Sequence, residues 1–199
     1  MDANPEAFFT NSELFSCEQL AANQHIIPDR SGIYAWYFKE IPPGLVGIEK
    51  CYTREGLTLL YIGIVPKLPG GLRHLRHRIY GDHLTGNAYG STLRRSLGCL
   101  LSQKLGIQLR RIGTVNRMIF CVGETCSGEA LLTDWMINNA YVTWHVHNQP
   151  WLIETGIIAN NFLPLNIQHN ANNENYSILK EIRKQAKQKA RTLPIVHCQ

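Results

Sequence analysis

Two tyrosines carry the first chemical signal. Tyr34 closes the tripeptide Gly32-Ile33-Tyr34, and Tyr61, 27 residues later, opens Tyr61-Ile62-Gly63. Arg78 and His83 follow in a run dense in cations. Glu154 comes next, with Ile157 and Ile158 three and four residues on, Pro164 at +10 and Asn166 at +12. A guanidinium is a permanently charged planar fork that matches phosphate oxygens. A carboxylate is a hard anionic ligand suited to Mg²⁺ or Mn²⁺, and one carboxylate with waters and a substrate phosphate is a normal Mg²⁺ set. A phenol, with a reference pKa of about 10, is a poor base at neutral pH. Positive charge beside it lowers that value and lets it orient or deprotonate water. These residue types suit chemistry at a phosphate.

The elements that must position them are legible from pattern. Ile33–Phe38 is rich in β-formers and reads as a strand opened by the turn residues Pro28–Gly32. Leu59–Val65 is a second strand, apolar enough to be central. Residues 39–57 form a long connection broken by Pro42-Pro43-Gly44. Leu72–His83 reads as a basic helix with Leu72, Leu75 and Ile79 on its inner face. Ser91-Thr92 caps a helix running to about Leu105. A short strand over 117–122, a helix over 128–140, a strand over 141–147 and a helix from Pro150 to about Asn160 follow. A polar linker (170–175) leads to a C-terminal basic helix over 176–191, and one helix is expected near 13–22. This alternation predicts a small α/β (α+β) domain.

The 199 residues fit one domain with extensions. With 44% hydrophobic and 18% charged residues, a disordered or collagen-like chain is excluded. No apolar run approaches the roughly 18 residues of a membrane span. The acidic N-terminus lacks the basic start and apolar run of a signal peptide, so a cytoplasmic location is expected. The net charge of +5 is modest, but its distribution is not even. Five arginines (73, 76, 78, 94, 95) face a single acid, Asp82, and six basic residues between Lys180 and Arg191 face only Glu181. Two such clusters suggest a polyanionic partner; solvated helix faces are the alternative. The six cysteines form no C-x-x-C pair and are expected to be reduced and buried. Cys121 and Cys126 with His145 and His147 fit no common zinc spacing.

The ordered pair Gly32-Ile33-Tyr34 and Tyr61-Ile62-Gly63, followed by a helical arginine and by the Glu154–Pro164–Asn166 spacing, resembles the GIY-YIG nuclease superfamily. The segment GNAYGSTLRRSLGCLL (86–101) is similar to a bacterial subgroup of such proteins. The resemblance implies a small, mostly antiparallel central sheet flanked by helices, and a metal-dependent endonuclease acting on duplex or branched DNA. It divides the chain into an N-terminal extension (1–29), a GIY-YIG-like domain (30–168) with an insertion at 39–57, and a basic helical tail (169–199). It implies Tyr34, Tyr61, Arg78, His83 and Asn166 as catalytic residues and Glu154 as the ligand of Mg²⁺ or Mn²⁺.

Some assignments stay open between neighbours. Arg76 or Arg73 could stand in for Arg78 if the helix register differs. The superfamily's second polar residue usually falls one turn after the arginine, where this chain has Asp82. A one-residue bulge at Gly81 would bring His83 into place; otherwise Tyr80 or His77 fills the role. Nucleic-acid contacts are expected from Arg73, Arg76, Ser91, Thr92, Arg94, Arg95, Lys184 and Lys187. For Ser91 and Thr92, plain helix capping is an equal alternative. For the C-terminal helix, it is a structural or solvated role. Two other function classes remain: a nucleic-acid-binding module without catalysis, and a protein-interaction adaptor.

Overall fold

The computed structural model describes residues 12–113 and 117–197. Among them, five strands form one antiparallel sheet in the order β1-β7-β2-β4-β3, where β1 is Phe15–Ser16, β2 Gly32–Phe38, β3 Thr53–Arg54, β4 Leu57–Val65 and β7 Ala140–Val146. A separate hairpin pairs β5 (Gln108–Ile112) with β6 (Arg117–Cys121). The main helices are α1 (Cys17–Ala22), α2 (Thr92–Leu100), α3 (Gly128–Asn139), α4 (Glu154–Ala159) and α5 (Asn175–Thr192), together with a π-helix over His77–Leu84; a break at Leu101 separates α2 from a single turn over Ser102–Leu105. No helix among the described residues is long and apolar enough to cross a membrane.

Every residue of β2 is buried, because it is bonded to β4 on one edge and β7 on the other and covered on both faces. Tyr34, Trp36 and Phe38 point into the larger core, where Leu75, Ile79, Leu97 and Leu179 meet them. Ile33, Ala35 and Tyr37 point into a smaller core closed by Ile157, Ile158 and Leu163. The two sets alternate as the strand period requires. Trp36 pairs with Tyr61 and Tyr37 with Leu59, so Leu60 is an extra residue, and the bulge places Leu60 and Tyr61 together in the larger core.

Three expectations change. The helix expected near 13–22 is shortened by β1: Ser16 and Gln19 form a reciprocal capping box that starts α1 at Cys17, and Phe15 stacks on Trp144 at 4.5 Å. The helix expected from Leu72 begins later, and Leu72 is 91% exposed rather than on an inner face. Strand β5 has no signal in the sequence, because the adjacent Arg110 and Arg111 break the alternation of Gln108–Ile112.

The C-terminal helix is docked. Leu179 and Ala190 are fully buried, and Arg111 on β5 donates to the carbonyls of Ala190 and Leu193. At its start Asn175 exchanges two hydrogen bonds with the main chain of Val46, each 2.9 Å, tying the 39–57 insertion to α5. Cys17, Cys51, Cys99 and Cys121 are buried free thiols. Cys126 is disulfide-bonded, against the expectation of reduced cysteines, and Cys198 lies outside the described residues.

Candidate active site

Tyr34 reaches the site because of glycine. It pairs with Gly63 across β2 and β4, and a Cβ at Gly63 would overlap the Tyr34 hydroxyl. The ring therefore lies flat over the second motif's glycine. Gly32 serves the other edge: a Cβ there would run into the main-chain carbonyl of His145 on β7. Both glycines of the paired tripeptides answer to close approach rather than to turn geometry.

The Tyr34 hydroxyl is 2.8 Å from His83 Nε2 and accepts from Arg78 Nε at 3.3 Å. Both partners come from the π-helix, where the Thr85 N–H bonds the Tyr80 carbonyl in the i→i+5 pattern at 2.9 Å. In an α-helix, residues five apart point in different directions; the wider π turn places them one above the other. This local winding aims Arg78 and His83 at the same hydroxyl, while Tyr80 stays half-buried and His77 faces solvent. His83 Nδ1 lies 2.7 Å from Ser91 Oγ, and Ser91 Oγ also accepts the Arg94 N–H at the start of α2. Asp82 holds Arg78 by an ion pair of 2.9 Å and reaches Arg73 at the same distance.

A cavity of about 210 Å³ opens beside this cluster, lined by Tyr34, Tyr61, Lys67, Thr92, Glu154, Asn166, Gln168 and Arg183 with main-chain and apolar neighbours. Tyr61 stands on the same sheet face as Tyr34, ring centroids 6.5 Å apart. Glu154, at the first turn of α4, has no hydrogen-bond or ion-pair partner among the described residues. The Asn166 side chain bonds to the main chain of Ile62 rather than to either tyrosine hydroxyl. Its Nδ2 donates to the Ile62 carbonyl and its Oδ1 accepts the Ile62 N–H, both at 2.9 Å. β4 has no strand neighbour there, so Asn166 satisfies the edge as a strand would. These bonds hold the main chain of Tyr61-Ile62-Gly63 in place.

A sequence-family profile described as GIY-YIG catalytic domain matches residues 32–189, most of the chain. The chain belongs to this family. No curated protein and no solved structure matches it. The match takes in most of α5, in keeping with the docked position of that helix in this GIY-YIG domain.

The electrostatics of the GIY-YIG cluster follow from burial. Burial pushes Tyr34 well above the ordinary phenol range; the Tyr61 hydroxyl adds to this, and Arg78 opposes it without prevailing. Tyr61 moves up for the same first reason. Arg78 lowers the Tyr34 value as expected, but burial outweighs it, and in the free protein both phenols keep their protons. His83 is held well below its ordinary value by burial and then by Arg78, Arg94 and Lys67, so it is neutral at pH 7. Burial works against the Arg78 charge, but Tyr34 and Asp82 outweigh it and keep the guanidinium protonated. Burial raises Glu154, and Lys67 and His169 pull it back.

The remaining basic candidates separate by environment. Arg94 is fully buried; it pairs with Glu129 at 2.8 Å and donates to the carbonyls of Leu84 and Glu129. Ser91 is equally buried and bonded to His83. Burial on this scale argues against the expected nucleic-acid contacts for both, and Ser91 caps α2. Thr92, the next residue, is exposed and lines the cavity. Arg76 donates to the Ile27 carbonyl at 3.0 Å and braces the N-terminal segment. Arg73 is exposed beside Asp82. Arg95 donates to the carbonyls of Ala88 and Tyr89. Lys184 and Lys187 line a groove on α5. Sequence reasoning missed Lys67, Gln168 and Arg183 as cavity residues. Lys67 follows the second motif by four residues, a usable signal; Arg183 was visible only as one cation among six.

Proposed function

We propose that this protein is a divalent-metal-dependent endonuclease that hydrolyses DNA phosphodiester bonds at the Tyr34–Glu154 cavity. The observation that carries the reading is the pairing, across one cavity, of a buried Tyr34–His83–Arg78 cluster with a carboxylate that has no protein partner. A half-buried carboxylate left unpaired is costly unless a cation completes it. Glu154 fits a Mg²⁺ or Mn²⁺ site in which water and the substrate phosphate supply the other ligands. Among the described residues no group of three or more acidic, histidine or cysteine side chains is gathered for a metal, so an all-protein cage is not the arrangement. The ion supplies polarisation of the phosphoryl oxygens and stabilisation of the departing alkoxide.

The chain's own residues do the rest. A water in the cavity gives a proton to the Tyr34 oxygen as the Tyr34 proton passes to neutral His83 Nε2, 2.8 Å away. His83 enters the step neutral with Nε2 facing the phenol; burial and the nearby cations disfavour its imidazolium, so it holds the proton only transiently. Arg78 stabilises negative charge on the Tyr34 oxygen and on the phosphoryl oxygens from one fixed position. Tyr61 keeps its proton and donates to a phosphate oxygen. Asn166 holds the strand that presents it.

Incubating the purified protein with plasmid in Mg²⁺, Mn²⁺ or chelator, then mapping the ends, tests the proposal. Chelator-sensitive cutting with defined ends is expected. DNA binding with no cutting in either metal overturns it and leaves a binding module.

A further inference from the structure

Arg183 is the cavity residue contributed by the C-terminal helix, and its surroundings differ from those of the buried arginines. Arg78 and Arg94 are each held by a carboxylate, and the terminal nitrogens of Arg110 donate to the carbonyls of Gly123 and Pro194. The half-buried Arg183 has no hydrogen bond or ion pair among the described residues, and neither does Lys187, one helical turn on. The charges that bear on Arg183 include Arg95, which with burial pushes its guanidinium below the ordinary range. Lys187 is lowered by burial and by Arg95, Arg183 and Arg191. Glu181, the single acid of this helix, lies beside Lys184 and Gln185 instead. Like charges gathered without an acid cost stability in the free protein, and an anion repays that cost when it arrives.

Position gives the anion its identity. Arg183 lines the catalytic cavity with Tyr61 and Glu154, and it also lines an adjoining groove of about 470 Å³ with Lys180, Lys187 and Arg191. Residues 180, 183, 187 and 191 follow helical spacing along one face. Leu179 and Ala190, buried in the core, fix that face relative to the cavity. We propose that Arg183, backed by Arg95 and Lys187, forms a second phosphate site that takes the internucleotide phosphate next to the scissile one and leads the strand out along α5. The assignment rests on the endonuclease reading for the word scissile; the phosphate site itself does not need cleavage.

The test is binding of a fluorescein-labelled duplex in chelator, read by anisotropy across salt concentrations, with melting temperatures measured alongside. Arg183→Ala is expected to weaken binding roughly 10-fold or more and to make the log–log salt slope shallower by about 0.9, with little change in melting temperature. Arg183→Lys should recover part of the affinity. Lys189→Ala, which removes a cation lining a different groove on the same helix, should bind as the wild type does. Duplexes with one neutral methylphosphonate at successive positions around the mapped cut then locate the contact. At the phosphate adjoining the cut, wild type should lose affinity and Arg183→Ala should lose no more. An unchanged affinity and slope in Arg183→Ala, or a methylphosphonate effect that is the same at every position, overturns the inference. Absence of cutting by wild type, with the Arg183 effect intact, overturns the nuclease reading alone.

Discussion

The Tyr34 hydroxyl and His83 Nε2 stand 2.8 Å apart, joining the middle of the central strand to a residue 49 positions later on a π-helix. The contact lies at the wall of the cavity, with His83 fully buried and Tyr34 nearly so. It exists because Gly63 leaves room for the Tyr34 ring and because the π winding turns His83 inward.

That pair has a pH signature of definite sign. His83 is neutral when folded, with its pKa well below that of an unfolded histidine. Below about pH 6.5 the unfolded chain takes up a proton that the folded chain does not. Stability from this group is therefore complete above about pH 6.5 and is lost as pH falls toward the folded value. Melting temperature against pH should show the decline, and His83→Asn should flatten it. Tyr34→Phe should lower the cleavage rate by roughly 10²–10⁴-fold, the usual contribution of positioned proton transfer. Cleavage by Tyr34→Phe at the wild-type rate removes Tyr34 from the chemistry.

Glu154→Gln should abolish cleavage while leaving DNA affinity in chelator intact. An amide keeps the shape and holds a divalent ion poorly. Glu154 makes no side-chain hydrogen bond or ion pair among the described residues, so the variant's melting temperature should stay close to wild type. Retained cleavage by this variant takes Glu154 out of the metal site.

Arg78→Ala should lose roughly 10²–10³-fold in rate, the scale seen for one preorganised donor, and Arg78→Lys should also be poor. Arg76→Ala should keep the rate and instead lower stability, because its guanidinium serves the Ile27 carbonyl. Single-turnover rates and thermal melts on both variants decide; the reverse pattern would mean that Arg76 faces the substrate.

Arg94→Ala should cost about 3–5 kcal/mol, the price of leaving the half of a buried pair represented by Glu129 without its partner. The salt slope of DNA binding should not change, since the side chain meets no solvent. A shallower slope at unchanged stability would return Arg94 to the nucleic-acid surface.

Ending the chain after Asn175 should lower the melting temperature and cost activity at every DNA concentration. The cut removes the buried Leu179 and Ala190 together with the cavity residue Arg183. A truncated protein that melts like the full chain would show that α5 braces nothing.

Much of the frame was legible beforehand. β2 and β4 announced themselves by β-branched and aromatic runs, and α3 and β7 fell within a residue or two of expectation. Their signals are local: a side chain's neighbours at spacing two or four decide which face it shows. The residue types fit for phosphate chemistry were legible for the same reason, since a guanidinium, a carboxylate and a phenol carry their chemistry with them.

The sequence by itself determined β2, β4, β6 and β7, the paired glycine–tyrosine motifs and the inventory of reactive groups. The tertiary structure decided what each group is free to do. Arg94 and Arg95 are adjacent in sequence, yet Arg94 is consumed by Glu129, 35 residues away, while Arg95 adds its charge beside Arg183. Asp82 occupied the expected turn position, but i→i+5 winding gave that place to His83, with Tyr34 and Ser91 as its partners. Asn166 was chosen by its spacing from Glu154, and only the open edge of β4 made it a strand clamp. Burial and long-range partners set a side chain's charge and freedom, and neither is written in its local neighbours.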